Sequence, residues 1–363
     1  MLVGCRHHLD RINPEKEGRI ITTLKDIAEE TGFSIKTVSR AIHDHPDIKG
    51  ETKDIIMEVV RRLGFTPNWA AQSLRNKHTN TTGFIIPNIT NGFFGEIGMT
   101  IDAFFRARGY STLICFTSNS KENEIASIQS LLAKNIDGII LAPIGNQGEY
   151  IDLIPNLGDT PLVLIDNRLS GPPRNYVLQD NEGDSCRLAA HILGHGNRRI
   201  GFITGPLEES SSRERFAGFR RALDEAGIVF DDSLVRSVDW EIRSGYEATM
   251  DLLGQRGVSR PTAIIYANSQ LLLGGYKAIR ENELSIPSDI AVASFEHPDV
   301  IDALSPRPTT LKKVEMRIGT AAAAMLLSLI ESKENMAPRE VLIPSELITG
   351  ESCGCTVRPS PNY

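Results

Sequence analysis

The 363-residue sequence has few cysteines and no long apolar run. Its five cysteines are scattered and odd in number, which argues against a disulfide framework and suits a reducing compartment. The longest strongly apolar stretch, residues 321–330, is half the length of a membrane-spanning helix, which needs ~20 residues. The N-terminal residues contain no apolar core of signal-peptide length. We therefore expect a cytoplasmic protein with no membrane partner.

Basic residues are also in deficit, with 39 Lys+Arg against 46 Asp+Glu and a net charge of -7. The deficit is not uniform, because residues 1–80 contain 13 basic and 11 acidic residues, whereas residues 81–363 contain 26 and 35. The composition excludes a protein coated in positive charge. A nucleic-acid partner remains possible for the N-terminal part of the chain.

Motifs that would indicate an enzyme are missing from the sequence. It contains neither a GxxxxGK[ST] phosphate-binding loop nor a GxSxG nucleophile elbow. The acidic pairs Asp231–Asp232 and Glu208–Glu209 are typical of charged loops rather than of paired catalytic carboxylates. We expect no catalytic residues and no cofactor.

Two pairs of residues raise the question of a metal. His191 and His195 are four apart and could share an ion, but an ordinary helix-to-strand segment is the favoured interpretation. Cys353 and Cys355 flank a glycine near the C-terminus. Because only two thiols are present there and no histidine lies nearby, we expect an ordinary C-terminal tail and no metal site.

Three short helices are predicted near the N-terminus. The first is TLKDIAEETG, residues 23–32, the second is SIKTVSRAIH with Ser34 as its N-cap, and the third covers about 51–63. Helix, tight turn and helix form the helix-turn-helix pattern. Lys36 and Arg40 share one face of the second helix, where like charges cost stability that an anionic partner would offset. The alternative is a solvated basic face on a small bundle. The predicted inner residues are Leu24, Ile27, Ala28, Val38, Ala41, Ile42, Ile55, Ile56, Val59, Val60 and Leu63.

Beyond residue 82, apolar runs of strand length alternate with amphipathic helices. This alternation predicts parallel sheets covered on both faces, an α/β fold in two units beginning near Thr82 and Asn181. We predict one helix over 310–330 and one strand over 340–348. The other predicted strands are 83–89, 111–117, 138–144, 161–166, 199–205, 262–268 and 290–295, and the helices between them include 95–109, 121–135, 183–195, 212–227 and 244–256.

The segment from TLKDIA through GFSIKTVSR and LGFTPN to the alanine-leucine pattern before Arg75 resembles the lactose-repressor (LacI/GalR) family of bacterial transcription regulators. The resemblance covers residues 22–352. It implies a helix-turn-helix head, a hinge helix and a two-lobed effector domain like a type I periplasmic binding protein. The expected divisions are a disordered leader at 1–20, the DNA-binding domain at 21–66, the hinge at 67–81, the effector domain at 82–355 and a tail at 356–363. Lobe 1 is expected over 82–181 and 311–337, and lobe 2 over 182–310 and 338–352.

The same resemblance assigns DNA-binding roles in the head and the hinge. The recognition helix would read base edges in the major groove, and short hydroxyl side chains would contact phosphates. Leu74 lies where a side chain wedges into the minor groove of DNA, with a capping contact on the linker as the alternative. Gln72 stands where many relatives carry arginine. The predicted DNA-binding residues are Thr23, Ser34, Ile35, Lys36, Thr37, Ser39, Arg40, Asn68 and Leu74.

In the effector domain, the resemblance implies a ligand in the cleft at the carboxyl ends of the strands. Interdomain packing is the alternative role for Phe93, and a core position is the alternative for Trp240. Ser269 replaces the usual aspartate, and Glu296 stands where an aspartate usually contacts a ligand hydroxyl. Its extra methylene is expected to reach further into the cleft, which favours a smaller or a cationic ligand over a standard hexose. The predicted effector-binding residues are Phe93, Phe94, Asp166, Arg215, Trp240, Asn268 and Glu296.

The expected function is that of a ligand-responsive transcription regulator, a repressor of a carbohydrate or related catabolic operon. The family implies a homodimer on a palindromic operator in double-stranded DNA, with affinity switched by a sugar, sugar acid or similar effector. The residues after Cys355 contain no leucine heptads, which argues against a helical tetramerisation segment. The alternatives are a solute-binding protein, for which residues 82–352 alone would account for all activity, and an enzyme with detectable turnover.

Overall fold

The structure, a computed structural model, describes residues 22–65, 78–155, 157–255, 260–332 and 336–355. The chain divides into two compact units, residues 1–77 and 78–363. The predicted leader, most of the predicted hinge and the predicted tail lie outside the described residues. The unit containing residues 22–65 is called the head below, and the unit that begins at residue 78 is called the body.

The head consists of three helices, α1 (Leu24–Thr31), α2 (Ile35–Ile42) and α3 (Gly50–Arg62). Thr23 and Asp26 form a capping box at the start of α1, in which each side chain accepts a backbone N–H of the other residue. Gly32 ends α1 in the left-handed region at φ 73°, a conformation that favours glycine. Three residues then separate α1 from α2, which confirms the predicted helix-turn-helix pattern.

A small apolar core holds the three helices of the head together. Its buried members are Ile27, Val38, Ala41, Ile56, Val59 and Val60, all predicted from helical periodicity. The prediction was wrong for Ile55, which is 50 % exposed. Successive helical residues are rotated by about 100°, so the face centred on Ile56 and Val60 turns Ile55 towards solvent.

The body alternates strands and helices as predicted. Its strands are β1 (Thr81–Ile86), β2 (Ser111–Phe116), β3 (Gly138–Leu141), β4 (Leu162–Ile165), β5 (Asn175–Gln179), β6 (Ile200–Thr204), β7 (Val235–Ser237), β8 (Ala263–Tyr266), β9 (Ala291–Ser294), β10 (Thr309–Leu311), β11 (Glu340–Ile343) and β12 (Leu347–Ile348). Its helices are α4 (Gly92–Arg106), α5 (Lys121–Leu132), α6 (Glu149–Asp152), α7 (Asn181–Gly194), α8 (Ser210–Glu225), α9 (Ile242–Gly254), α10 (Ser269–Glu281) and α11 (Glu315–Glu331). Short 3-10 turns cover Asp232–Leu234, Ile301–Ala303 and Glu351–Cys353.

The twelve strands form two six-stranded sheets. The first has the order β11-β5-β4-β3-β1-β2 and is parallel throughout, and the second has the order β12-β10-β9-β8-β6-β7. Among the strands that the structure describes, only β12 runs antiparallel, against β10 at the edge of the second sheet. Each sheet carries an apolar cluster on each of its faces, so helices cover both sides of both lobes. The predicted two-lobed α/β fold is confirmed.

The structure corrects three predictions about the C-terminal part of the body. The predicted helix over 310–330 begins only at Glu315, because Thr309–Leu311 forms strand β10. The predicted strand over 340–348 is two strands, since Pro344 has no backbone N–H and the chain crosses between the sheets there. Residues 340–343 therefore belong to the first lobe rather than to the second, and Leu311 belongs to the second rather than to the first.

Candidate functional site: a recognition helix and an interlobe cavity

The exposed surface of α2 carries the predicted base-reading side chains. Ser34 caps the helix by accepting the backbone N–H of Thr37 at 3.1 Å, which fixes the first turn. Ile35 is 50 % exposed although it is apolar, and Lys36 is also exposed. The guanidinium of Arg40 lies 3.7 Å from the carboxylate of Asp47, both of them solvated. An exposed ion pair of this length costs little to exchange for another anion.

Of the other predicted DNA-binding residues, some lie in the head and two lie outside the described residues. The hydroxyls of Ser34 and Thr37 lie 2.8 Å apart at the start of α2, and Ser39 lies further along the same helix. Thr23 is exposed at the start of α1, where its hydroxyl donates to Asp26 at 2.8 Å. Asn68 and Leu74 lie outside the described residues. The DNA-binding roles of all these residues stay predictions.

The body contains a cavity of about 750 Å³ between its two sheets. Its walls come from residues that follow the carboxyl ends of strands in both lobes, which is where open α/β sheets bind ligands. All seven predicted effector-binding residues line this one cavity, namely Phe93, Phe94, Asp166, Arg215, Trp240, Asn268 and Glu296. Their roles in effector binding stay predictions, but the structure brings the seven side chains together.

Arg215 on α8 is the buried cation of the cavity, with 3 % of its surface exposed. Its Nε donates to Asn181 at 2.9 Å, and its Nη1 donates to the carbonyl of Ala267. The guanidinium lies 3.5 Å from a carboxylate oxygen of Glu296 and 4.0 Å from the ring centroid of Phe295. These contacts hold the group rigidly, as a fixed hydrogen-bond donor at the wall of the cavity requires.

The two departures from the family pattern, Ser269 and Glu296, contact each other. The second carboxylate oxygen of Glu296 accepts the backbone N–H of Ser269 at 3.2 Å and its hydroxyl at 3.1 Å. The longer side chain therefore reaches the N-terminus of α10, where the helix dipole favours a negative charge. Asn268 caps the same helix, accepting the N–H of Leu271 at 2.8 Å. Glu296 is thus held between Arg215 and α10 at the cavity wall.

Asp166 follows β4 with its backbone in the left-handed region at φ 66°. Desolvation by burial raises the pKa of its carboxyl to about 7, opposed by the charge of Arg215 and reinforced by Glu209 and Glu296. Burial also raises the pKa of Glu209, against the hydrogen bond that it accepts from Trp240 Nε1 at 2.7 Å. The cavity therefore carries one carboxyl group, that of Asp166, whose pKa lies near neutral pH, and a second, that of Glu209, whose pKa is raised.

The aromatic residues of the cavity differ in how deeply they are buried in the apolar clusters. Phe93 and Phe94 pack edge to face with ring centroids 5.2 Å apart and are buried in the apolar cluster of the first sheet. Trp240 packs against both apolar clusters of the second sheet, and its indole N–H donates a hydrogen bond to the carboxylate of Glu209. Phe93 thus packs within the first lobe rather than between the lobes, and Trp240 is partly buried against the core of the second lobe, while both also line the cavity.

Sequence reasoning missed several polar residues of the cavity. Asn167 is 4 % exposed, and its Oδ1 accepts the backbone N–H of Ser211 at 3.0 Å, a contact between the two lobes. Their place in the sequence was the one feature that could have identified them, since most of them come a few residues after a predicted strand, where α/β sheets bind ligands. Among the missed lining residues are Asn88, Asn91, Asn119, Asn167, Glu209, Ser211, Asp239, Glu241, Arg243 and Gln270.

Charged contacts also join the lobes beside the cavity. The guanidinium of Arg168 donates at 2.7 Å both to Glu214 on α8 and to Glu340 on β11. Lys313 donates at 2.9 Å to Glu96 in the first lobe and also to Asp299 in the second. A change in the angle between the lobes would have to break or exchange the contact of Arg168 with Glu214 and one of the two contacts of Lys313.

The structure overturns one expectation about the C-terminal cysteines. Cys353 and Cys355 do have histidines nearby, because His191 and His195 at the end of α7 contact them. The four ligand atoms lie within 4.8 Å of one another. None of these residues lines the cavity described above.

With this geometry established, comparison with known proteins identifies the family. Residues 23–68 match the family model for bacterial regulatory proteins of the lacI family, and residues 189–353 match that for the periplasmic binding protein-like domain. The HTH-type transcriptional regulator RegA of Clostridium saccharobutylicum is 30% identical over 332 residues, covering 91% of this chain and 99% of that protein. The chain belongs to the LacI family.

Other members of the LacI family are similar over nearly the same length. The HTH-type transcriptional repressor PurR of Pasteurella multocida (strain Pm70) is 29% identical over 316 residues, 86% of this chain and 93% of that protein. A crystal structure of the lac repressor dimer bound to operator and the anti-inducer ONPF superposes with a TM-score of 0.82 at 25% identity, over 92% of this chain and 99% of that one. The predicted family, fold class and general function, a ligand-responsive DNA-binding transcription regulator, are confirmed.

Among the residues that the structure describes, no helix is both long enough and apolar enough to cross a membrane.

Proposed function

We propose that this LacI-family regulator represses a carbohydrate or related catabolic operon by binding a palindromic operator as a homodimer. A small molecule in the interlobe cavity switches its operator affinity. The observation that carries the proposal is the convergence of seven residues on one cavity, although Phe93 and Glu296 are 203 positions apart, in a protein whose head presents the exposed helix α2. The proposed site of action is the nucleoid in the cytoplasm, and no catalytic step is part of the mechanism.

In the head, α2 would read bases in the major groove. Arg40 and Lys36 would donate to base edges, and Ile35 would make apolar contact with a thymine methyl group. The hydroxyls of Ser34, Thr37 and Ser39, together with Thr23, would fix the register on phosphates. Leu74 and Asn68 complete the proposed contacts from the hinge, with Leu74 as the minor-groove wedge.

Acceptors dominate the cavity, which bears on the class of effector. Five acidic side chains line it against two basic ones, Arg215 and Arg243, and the charge of Arg215 is already balanced by Glu296 at 3.5 Å. Hydroxyl groups and cationic amines donate to such a wall, whereas a carboxylate of a sugar acid would meet repulsion. We infer that the effector is a neutral or amino-bearing sugar or a similar polyol, with Trp240 and Phe93 offering apolar surface.

The homodimer is proposed from surface chemistry and from the similar lac repressor dimer. In the first lobe, Met99, Ile114 and Phe116 are exposed although they are apolar, with exposed fractions of 70%, 40% and 47%. Strand β2, which carries Ile114 and Phe116, lies at the edge of its sheet. A second copy of the chain would cover such a surface.

The decisive experiment selects DNA from a random-sequence library with the full chain and then measures binding of the selected site. We expect a palindrome, bound with an affinity that falls steeply with salt. The Arg40→Ala variant should lose about 5–150-fold in specific affinity, as expected for one bidentate base contact of about 1–3 kcal/mol. Its non-specific affinity should fall much less.

A matched control is Arg61→Ala, because Arg61 is exposed on α3 and outside the proposed interface. Equal losses of specific and non-specific binding in Arg40→Ala would place Arg40 on phosphate and contradict its base-reading role. In the same assay, a neutral sugar, its amino sugar and its sugar acid are added in turn. The proposal for the cavity fails if the sugar acid alone changes operator affinity.

A further inference from the structure

Four side chains in the second lobe converge at a point that has no part in the proposed DNA or effector binding. His191 lies in the last turn of α7 and His195 is the C-cap of that helix, and their ring centroids are 4.9 Å apart on the same side of the helix end. Cys353 ends the 3-10 turn Glu351–Cys353, and Cys355 follows two residues later. The histidines are separated from the cysteines by about 160 residues in the sequence, but their side chains are in contact in the structure.

The distances within the cluster match a tetrahedral set of ligands. His191 Nε2 lies 3.3 Å from Cys353 Sγ and 3.7 Å from Cys355 Sγ, and His195 Nε2 lies 3.2 Å from Cys355 Sγ. A tetrahedral zinc ion with Zn–S of ~2.3 Å and Zn–N of ~2.0–2.1 Å holds sulfur and nitrogen ligand atoms ~3.5 Å apart. The observed separations lie on both sides of that value. A single ion therefore fits between the four atoms with only small side-chain adjustments.

The backbone at the cysteines explains how such close spacing is possible. The histidines have the H-x3-H spacing common in zinc sites, whereas C-x-C is one residue shorter than the usual C-x2–4-C. Gly354 lies between the cysteines at φ 96°, in the left-handed region that other residues rarely adopt. This conformation turns the chain back, so that both thiols reach the same point.

The surroundings of the cluster suit a structural metal. Cys353 is 3 % exposed, and Thr309 Oγ1 donates to its sulfur at 3.0 Å, a contact that supports a ligating thiolate. His195 is exposed, which leaves a path for the ion to enter. Two thiolates with two imidazoles form a charge-neutral site with a divalent ion, and this donor set selects zinc among the common biological metals.

We propose that His191, His195, Cys353 and Cys355 bind a structural Zn²⁺ ion. The ion fastens the turn at 351–355, which packs against β9 and β10, to the C-terminal end of α7. The site is separate from the effector cavity, because none of its four residues lines that cavity. Loss of zinc is therefore expected to lower stability of the second lobe and not to remove the effector contacts themselves.

The test measures zinc in the full chain, purified under reducing conditions, incubated with ZnCl₂ and desalted. Elemental analysis should find about one tightly bound zinc ion per chain, as a closed structural site requires. The Cys353→Ser/Cys355→Ser variant should lose that ion, and Cys115→Ser, which removes a thiol elsewhere, should keep it. Because Cys5, His7 and His8 also offer ligand types, a variant with all three replaced by serine is included and should keep the zinc.

A second measurement does not depend on variants that fold poorly. The wild-type chain loaded with Co²⁺ should show the intense visible bands of tetrahedral cobalt with thiolate charge transfer in the near ultraviolet, and ZnCl₂ should abolish them. A strong chelator should lower the unfolding temperature of the wild type and leave the double-serine variant unchanged. Zinc below one tenth of an ion per chain, zinc retained in the double-serine variant, octahedral cobalt, or a Cys353–Cys355 disulfide in the reduced preparation would each overturn the proposal.

Discussion

The head and the interlobe cavity place their functional residues by different physical means. In the head, Ile35, Lys36 and Arg40 lie on one exposed helix, and their spacing follows from 3.6 residues per turn. In the cavity, Arg215 and Glu296 come from distant segments, are largely buried and hold each other in place. A surface helix thus tolerates changes of its side chains that a buried, mutually paired site does not.

The largest expected effect that tests this contrast comes from Arg215→Leu. Removing the buried cation leaves Glu296 and Asp166 without their nearest positive charge, so the free energy of unfolding of the body should fall by about 3–5 kcal/mol. Denaturant unfolding of the full chain measures the change. Arg106→Leu is the control, because the Arg106 side chain is 74% exposed, pairs with Asp102 along one helix and does not line the cavity. Its effect should stay within about 0.5 kcal/mol. Similar effects of both substitutions would show that burial does not distinguish the cavity from a surface.

A somewhat smaller effect is expected at Asp166 and depends on pH. Because its pKa is raised from 3.8 to about 7 in the folded protein, folding takes up a proton between these two pH values. Stability of the wild type should therefore fall as pH rises through this range, by about 1.4 kcal/mol per pH unit at most. Asp166→Asn removes that contribution. The stability of the variant relative to that of the wild type should therefore increase from pH 5 to pH 7 and stay constant above pH 8.

Thermal unfolding of the two proteins across pH 5 to 8 measures this difference directly. Glu124 and Glu315, whose pKa values burial also raises to about 7, are common to both proteins and cancel in the comparison. The control Asp232→Asn changes an exposed carboxylate in a surface turn. A difference that does not vary with pH, or one equal to that of the control, would contradict a buried, protonated Asp166.

The smallest expected effect lies in the head, at Ser34. Ser34→Ala removes the side-chain cap of α2 and should reduce the stability of the head by about 1 kcal/mol. Hydrogen exchange of the full chain should report faster exchange over residues 24–62 and unchanged exchange in the body, because the two form separate compact units. Ser39→Ala removes a hydroxyl further along the same helix and should change stability by less than about 0.5 kcal/mol. Equal effects of the two variants would refute the capping role.

Local patterns were sufficient for most of the fold. The helices of the head followed from the spacing of Ile27, Val38 and Ile56 and from the stop at Gly32, because such signals act within a few residues. The errors fell where long-range pairing overrides local preference. The strand Thr309–Leu311 pairs with β9 on one side and β12 on the other, and three residues are too few for their own periodicity to predict it.

The cavity shows a different division between sequence and structure. Its seven predicted residues were named through motifs of a family, and the carboxyl ends of parallel strands explain why they meet. The contact of Glu296 with Ser269 was not predicted, although both positions had been singled out as departures. Whether two side chains from distant segments meet depends on the directions in which they point in the folded protein. The sequence of neither segment specifies those directions.

The sequence by itself determined the order of the elements, the helix-turn-helix pattern and the exposed cations of α2, since all of these depend on neighbours within a turn or a strand. Only the tertiary structure decided which distant residues meet. His191 with His195 and Cys353 with Cys355 are each visible as a pair in the sequence, but their meeting depends on how the C-terminal turn packs against α7. The physical reason is that packing and long-range hydrogen bonding act on distances in space, which separations along the chain do not specify.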